Sequence, residues 1–491
     1  MTNGARRSDV RERTEPTDEP RRVAQAPAPS FAHLLALQRS AGNAAVSRML
    51  SRSRTLARLD DGKIGDRAYG IWEEQGSKTG QTMEQQGADW NEAKRQTGAM
   101  ERETTRRAEA NYNARGGGES SPEQAQQDWA KAEKSIVTDF RCERYEDWTK
   151  LLARGALWGG VAGGAPTTEL TAIKTKLGEL QLHLRDKDDL GERLTLITGA
   201  EGLIDGWISA HGSGPGAAKA DELLMLKMHS LSYERRRRLK QVKIQDTYGI
   251  KTNNLTGLMR HKQAFTEGAN ATSLAQIEKL TTVSLFSLEE LDMLIDVFSN
   301  YGPLLGKERD TTTLGTQPLD NFTRFGVGLD KGANPNVSKP VQSPGDFGVT
   351  IGDTITMYDK SNRDTLDFPT TQQQFRGTIE HELSHALLES LPGGGTTMIQ
   401  KFATDTDYWG GNVFASKYPS PTAATTANSE LPPTDYGRKN AQEDLAECMM
   451  FFFEDPKDLE TRCPKRFEWI KTNIGPKLGP EHMKKIKEGK F

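Results

Sequence analysis

The chain has 491 residues, enough for roughly two to four domains. It is polar, with 35% hydrophobic and 27% charged residues, and its net charge of -3 gives no global case for nucleic acid or an anionic membrane as partner. Three cysteines, Cys142, Cys448 and Cys463, are too few and too scattered for a disulfide framework, and no pair has metal-ligand spacing. That usage is compatible with a reducing cytoplasm.

In chain order, residues 1–30 are rich in Arg, Glu, Pro and Thr and read as a disordered leader. They have charge but no apolar core, so they do not form a secretory signal peptide, and export would need a non-classical route. Residues 31–52 hold a compact amphipathic segment, FAHLLALQRSAGNAAVSRML over Phe31–Leu50. Residues 53–121 read as a polar linker, partly helical, with the triple glycine at 116–118 as a boundary. Ser121 then offers an N-cap, Pro122 a first helical position and Gln124 a capping-box partner.

Residues 122–300 form a mainly helical middle region without recognisable chemistry. Leu170, Ile173, Leu177, Leu180 and Leu184 recur at helical spacing. The apolar stretch Leu151 to Ala165 contains Arg154 and five glycines, is too short to span a bilayer, and reads as a buried hairpin or turn. The locally basic run from Tyr233 to Lys240 reads as a solvated helix face. After residue 300, Gly, Pro, Asn and Asp punctuate 302–348, which predicts loops and short strands. Asp353 to Asp359 alternates like a strand. Helices are expected near Gln372–Ser390 and Ala441–Phe453.

The first of these two helices carries His381-Glu382-Leu383-Ser384-His385, an HExxH motif. Residues four apart share a helix face, so both imidazoles can reach one metal, and Glu382 beside them can take a proton from a bound water. The metal such a motif implies is Zn2+, which lowers the pKa of that water to about 7. Phe375, Ile379, Leu383, Ala386 and Ser390 fall on the opposite face, ready for a core, so the histidines face a cleft. A catalytic site needs a third ligand. Leu388 and Leu391 stand where a metzincin would have Gly and His, and His482 lies far off in a Lys-rich tail. The third ligand is therefore expected to be a carboxylate: Glu389, Asp405, Asp407, Glu443, Asp444 or Glu447. Glu443 is the first choice, with Glu447 on the same face. Asn440 followed by Glu443 equally resembles a capping box, a purely structural arrangement.

With HExxH upstream, the order Tyr436-Gly437-Arg438, Asn440, Glu443 and Ala446-Glu447 resembles the catalytic domain of anthrax lethal factor and related toxin metalloproteases. Pro464-Lys465-Arg466-Phe467 and Ile470 to Ile474 are similar to that family's C-terminal end. The resemblance covers about 300–491, strongly only at the two motif helices. It implies an α+β fold with a zincin-like metalloprotease domain at 301–491. His381, His385 and Glu443 would be zinc ligands, Glu382 the general base, Tyr436 an oxyanion donor and Glu447 an orienting outer group. The connection from His385 to Glu443 departs from the family's in composition, which leaves substrate preference open.

Leu37-Gln38-Arg39, Gly42-Asn43 and Ala45-Val46 are similar to the leader motif of proteins carried by bacterial extracellular contractile injection systems. That resemblance implies loading onto such a particle through 31–52, with the chain cytoplasmic in its producing cell before delivery. The combined expectation is a zinc endopeptidase, of gluzincin type, acting as a bacterial toxin or effector on a protein substrate. An extended substrate would lie beside the strand at 354–358, adding to its edge at Thr354 and Thr356. The alternative is a particle-associated structural or packaging protein with an inert zinc site.

Overall fold

The computed structural model describes residues 82–115, 121–143, 145–161, 167–187, 189–252, 285–305, 321–325, 348–351, 353–358, 371–390, 394–406, 408–409 and 430–488. The expectations for 1–30, for 31–52 and for Asp407 lie outside them. Helix dominates the described residues, with one small sheet. No helix among them is long and apolar enough to cross a membrane.

Helix α1 (Met83–Ala114) opens on a capping box: Thr82 Oγ1 accepts the Gln85 N–H at 3.2 Å, and the Gln85 side chain accepts the Thr82 N–H at 2.8 Å. Its sequence is polar, yet it buries Ala93, Gln96, Ala99 and Thr104. Charge pairs hold it in place, Arg102 Nη2 to Asp221 at 2.7 Å and Arg107 Nη1 to Asp139 at 2.6 Å. Small and paired polar side chains form its packed face, which hydropathy does not flag. Helix α2 (Pro122–Phe140) has the expected N-cap, with Ser121 Oγ accepting the Gln124 N–H at 3.2 Å and Pro122 in the first turn.

The chain continues through α3 (Tyr145–Ala153), α4 (Gly155–Trp158), α5 (Thr167–Asp186), α6 (Leu190–His211) and α7 (Ala217–Leu226). A π-helical turn at Lys227–Leu231 joins α7 to α8 (Ser232–Tyr248). Leu170, Ile173, Leu177, Leu180 and Leu184 are all buried in the core these helices share. Leu151, Leu157 and Trp158 of the apolar stretch join them. The basic run is only in part a solvated face. Arg237 is fully buried, donating to Glu234 Oε2 at 2.6 Å and to the Cys142 and Glu143 carbonyls at 3.1 and 3.2 Å. Arg235 pairs with Glu201, Arg238 donates to the Leu190 carbonyl, and Leu239 is the residue left exposed. Neighbouring helices supply anions and carbonyls that a one-dimensional reading cannot see.

A second core runs from Ile244 of α8 to Ile486. It takes in α9 (Leu288–Tyr301), whose capping box joins Ser287 and Glu290. The sheet comprises β1 (Lys251–Thr252), β2 (Asn321–Phe325), β3 (Gly348–Ile351) and β4 (Thr354–Tyr358) in the order β1-β2-β4-β3. β1–β2 and β2–β4 are parallel; β3–β4 is antiparallel. The alternation at 353–359 thus marks a real strand, but an inner one. β4 is paired on both sides, and Thr354 and Thr356 are 2% and 1% exposed. The expected substrate edge at β4 is therefore corrected: among the described residues the outer strand on this side is β3.

Helices α10 (Thr371–Ser390) and α11 (Gly394–Asp405) follow the sheet. The chain ends in α12 (Ala441–Glu454), α13 (Pro456–Arg462), α14 (Pro464–Asn473) and α15 (Gly475–Glu488). Ile355 and Met357 of β4, Phe375, Ile379, Leu383 and Ala386 of α10, and Leu445 and Met449 of α12 share the second core. Helix α10 is thereby wedged between the sheet and α12.

Candidate metal centre

α10 is buried nearly all round. Phe375, Ile379, Leu383 and Ala386 face the core as the spacing predicts, while His381, Glu382 and His385 keep only 7–8% exposure. The histidines are therefore recessed. His381 Nε2 and His385 Nε2 are 3.0 Å apart, and Glu443 Oε2 of α12 lies 3.1 Å from the first and 3.2 Å from the second. Three donor atoms thus form a near-equilateral triangle. A tetrahedral zinc with bonds of about 2.0–2.1 Å sets its ligand atoms about 3.3 Å apart. Among the described residues these three are the group able to hold a metal ion, and the donor set suits zinc.

Glu443 reaches this place because capping and coordination use different atoms. Asn440 Oδ1 accepts the Glu443 backbone N–H at 2.9 Å, which starts α12. The Glu443 carboxylate remains available for the histidines. Asn440 therefore caps the helix without the Glu443 side chain, and the cap does not compete with the approach of that carboxylate to the histidines. The other carboxylates are engaged elsewhere. Asp405 accepts from Trp469 Nε1 at 2.9 Å and from Lys401 Nζ at 2.5 Å. Asp444 is fully buried against Arg466, with Nη2 at 2.7 Å from Oδ2. Glu389 is exposed at the end of α10.

Glu447 lies one turn beyond Glu443 and meets the other side of His381, with Oε1 2.7 Å from Nδ1. A carboxylate there fixes the ring and leaves Nε2 directed at the metal position. Its second oxygen accepts from Thr434 Oγ1 at 2.7 Å, and Thr434 in turn accepts the Gly437 N–H at 3.0 Å. On His385, Gln442 Nε2 lies 3.4 Å from Nδ1. Burial opposes charge on His381, but the hydrogen bonds to Glu443 and Glu447 outweigh it and hold its pKa well above the usual 6.5. Glu443 is buried as well, yet the two histidines hold its carboxyl well below the usual carboxylate range.

Glu382 points to the sheet side. Thr350 Oγ1 of β3 lies 2.7 Å from Glu382 Oε2 and 2.9 Å from its backbone carbonyl. The strand comes this close because residue 348 is glycine. A Cβ there would meet Glu382 Cγ at 3.0 Å, Thr378 Cγ2 at 3.1 Å and Met357 Sδ at 3.2 Å. Tyr436 stands at the mouth of the site, 41% exposed, its ring edge-on to His381 with centroids 5.4 Å apart. Lys439 Nζ sits 3.5 Å from the centre of that ring. Sequence reasoning missed Thr350, Gly348 and Thr434. Only a Thr-x-x-Gly step before α12 and a Gly-x-Thr in the strand mark them, and both patterns are common.

No protein-family model, no curated protein and no solved structure matches the chain.

Proposed function

We propose that this chain is a zinc-dependent endopeptidase, with a zincin-like α+β arrangement of β3, β4, α10 and α12 as its catalytic part. The observation that carries the reading is the convergence of His381 Nε2, His385 Nε2 and Glu443 Oε2 within 3.0–3.2 Å, with Glu382 adjacent on the same helix. His381, His385 and Glu443 would hold the zinc, which would supply a water of lowered pKa and a Lewis acid for the carbonyl oxygen. Glu382, held by Thr350 and next to His381 on the same helix, would take the proton of the attacking water and pass it to the leaving amine. Tyr436, at the mouth, serves as the donor to the developing oxyanion. Glu447 holds the His381 ring in the tautomer that presents Nε2. An extended peptide pairs with the outer edge of β3, which places its backbone next to Glu382.

The toxin or effector role, and loading onto a contractile injection particle through 31–52, belong to the same proposal. Their support is the residue pattern around Tyr436–Glu447 and the motif at 37–50. The test is cleavage of a randomised peptide mixture by the full chain reconstituted with zinc. Wild type should contain about one zinc per chain and cleave; Glu382→Gln should keep the zinc and lose about 10²- to 10⁴-fold in rate. Equal rates in the two would leave a bound but inert metal, as a packaging protein would have.

A further inference from the structure

Thr434 stands between the metal ligands and the segment that bears Tyr436. Its hydroxyl donates to Glu447 Oε2 at 2.7 Å, and Thr434 Oγ1 itself accepts the Gly437 N–H at 3.0 Å. Glu447 Oε1 in turn holds His381 Nδ1 at 2.7 Å. An unbroken line of three hydrogen bonds therefore runs from the ring of a candidate ligand to the backbone amide next to Tyr436. The residues on either side are close-packed. A Cβ at Gly437 would lie 3.2 Å from Pro432 Cβ and 3.3 Å from Asp444 Cα. The segment before Thr434 is anchored independently. The Glu430 carboxylate accepts the N–H groups of Lys465 and Arg466 at 2.7 and 3.0 Å, the Glu430 carbonyl accepts from Arg466 Nη1 at 2.7 Å, and Arg462 Nη1 donates to the Pro433 carbonyl at 2.7 Å. Up to Pro433 the backbone is thus fastened to α13 and α14, and Thr434 ties the Tyr436 segment to the metal side.

We infer that Thr434 is a positioning residue that couples metal binding at His381 to the ordering of the Tyr436 segment. A metal on Nε2 requires the ring proton on Nδ1, which fixes that nitrogen as the donor to Glu447. Coordination anchors the ring itself, so that Nδ1–H and the Glu447 carboxylate it holds are fixed in one place. Glu447 then presents its other oxygen to Thr434 in one orientation, the Thr434 lone pairs stay aimed at Gly437, and Tyr436 is held over the site. The three hydrogen bonds are present without metal; a metal on Nε2 holds their first member in place, so the Tyr436 segment opens less often in metal-loaded than in metal-free protein. Reciprocity requires that any change loosening the segment also weakens the metal.

This inference rests on the metal-binding part of the proposed function and not on peptide hydrolysis. The experiment uses the full chain as wild type, Thr434→Val and Thr434→Ser. Zinc affinity is measured by competition against a chromophoric chelator, and hydrogen exchange of the Gly437 amide is followed with and without zinc. Thr434→Val keeps the shape and removes the hydroxyl, and should bind zinc about 10-fold more weakly. Thr434→Ser restores the hydroxyl and should return the affinity to within about twofold of wild type. Zinc should slow exchange at Gly437 in wild type and in Thr434→Ser, but not in Thr434→Val. A solely structural threonine would lower the melting temperature of Thr434→Val without changing the zinc dependence of exchange. Wild-type affinity in Thr434→Val, or exchange at Gly437 in wild type that ignores zinc, overturns the inference. The second result needs no variant, so it stands even if Thr434→Val fails to fold. A wild type that shows this coupling but cleaves nothing would sink the protease reading and leave the coupling intact; a wild type that binds no zinc overturns both.

Discussion

Glu443 serves two purposes through two different atoms. Its amide takes the Asn440 cap while its carboxylate meets both imidazoles. Replacing it with alanine should spare the cap, which uses only the backbone, and remove a direct metal donor. Zinc affinity should then fall by more than the about 10- to 100-fold that outer groups command, as read by chelator competition. The same cluster fixes a pH dependence. His381 is held above its usual 6.5 in the metal-free fold, so its pairing stabilises the chain fully below 6.5 and is lost as pH rises through the folded value. Glu443 is held below the usual carboxylate range, so its contribution is present above that range and is lost as pH falls through its folded value. Zinc must displace the proton from His381 Nε2, so binding releases protons and strengthens with pH. The rise in melting temperature caused by saturating zinc should therefore grow between about pH 6 and pH 8. A zinc effect that is flat across that range would contradict the assignment of His381 as ligand. At this scale much was legible. Helical spacing within HExxH was enough to expect the two imidazoles side by side, and Glu443, which the structure brings to them, stood first among six carboxylates. Thr350 and Thr434 were not legible, because a hydroxyl's partner lies across the fold rather than along the chain.

The two motif helices could be read from sequence to within a residue or so, since capping and spacing are local properties. Their placement against each other depends on contacts that are not local. Asp444 of α12 and Arg466 of α14 form a fully buried pair, joined by Trp409 Nε1 at 2.8 Å and by the Glu430 carbonyl. Burial pushes the Asp444 carboxyl up, against the pull of Arg466. Removing one partner leaves an uncompensated buried charge, so Arg466→Met should cost about 3–5 kcal/mol in urea unfolding. A cost below about 1 kcal/mol would show that the pair does not anchor α12. On the other side of α10, β3 depends on Gly348. Gly348→Ala should push the strand from Glu382 and lower kcat about 10- to 100-fold with zinc content unchanged, because small misplacements of a catalytic group are costly. Unaltered kcat would remove β3 from the account. The alternation at 353–359 revealed β4, but a four-residue strand such as Gly348–Ile351 has no periodicity to detect, and so the outer edge was assigned one strand too far in.

Across the described chain, two cores share the work. One gathers residues from Ala99 to Leu231 with Leu285, and the other gathers Ile244 to Ile486 around the candidate centre. Helix α8 runs between them, with Leu231 just before its start in the first core and Ile244 near its end in the second. Composition could not show this, because the helical texture is continuous through α8 and α9, and it is packing that assigns α9 to the metal side. Tyr301 of α9 donates to the Glu380 carbonyl at 3.3 Å, one residue before the first histidine. Helix α1 likewise became visible as a packed element only through its ion pairs. The central claim is that these parts together hydrolyse peptide bonds in a protein target. Its most direct test maps new protein N-termini in a cell extract treated with zinc-loaded wild type or with zinc-loaded Glu382→Gln. A discrete set of new ends with wild type, absent with Glu382→Gln and abolished by a chelator, is the predicted result. No new ends with wild type, or the same ends with Glu382→Gln, would contradict it.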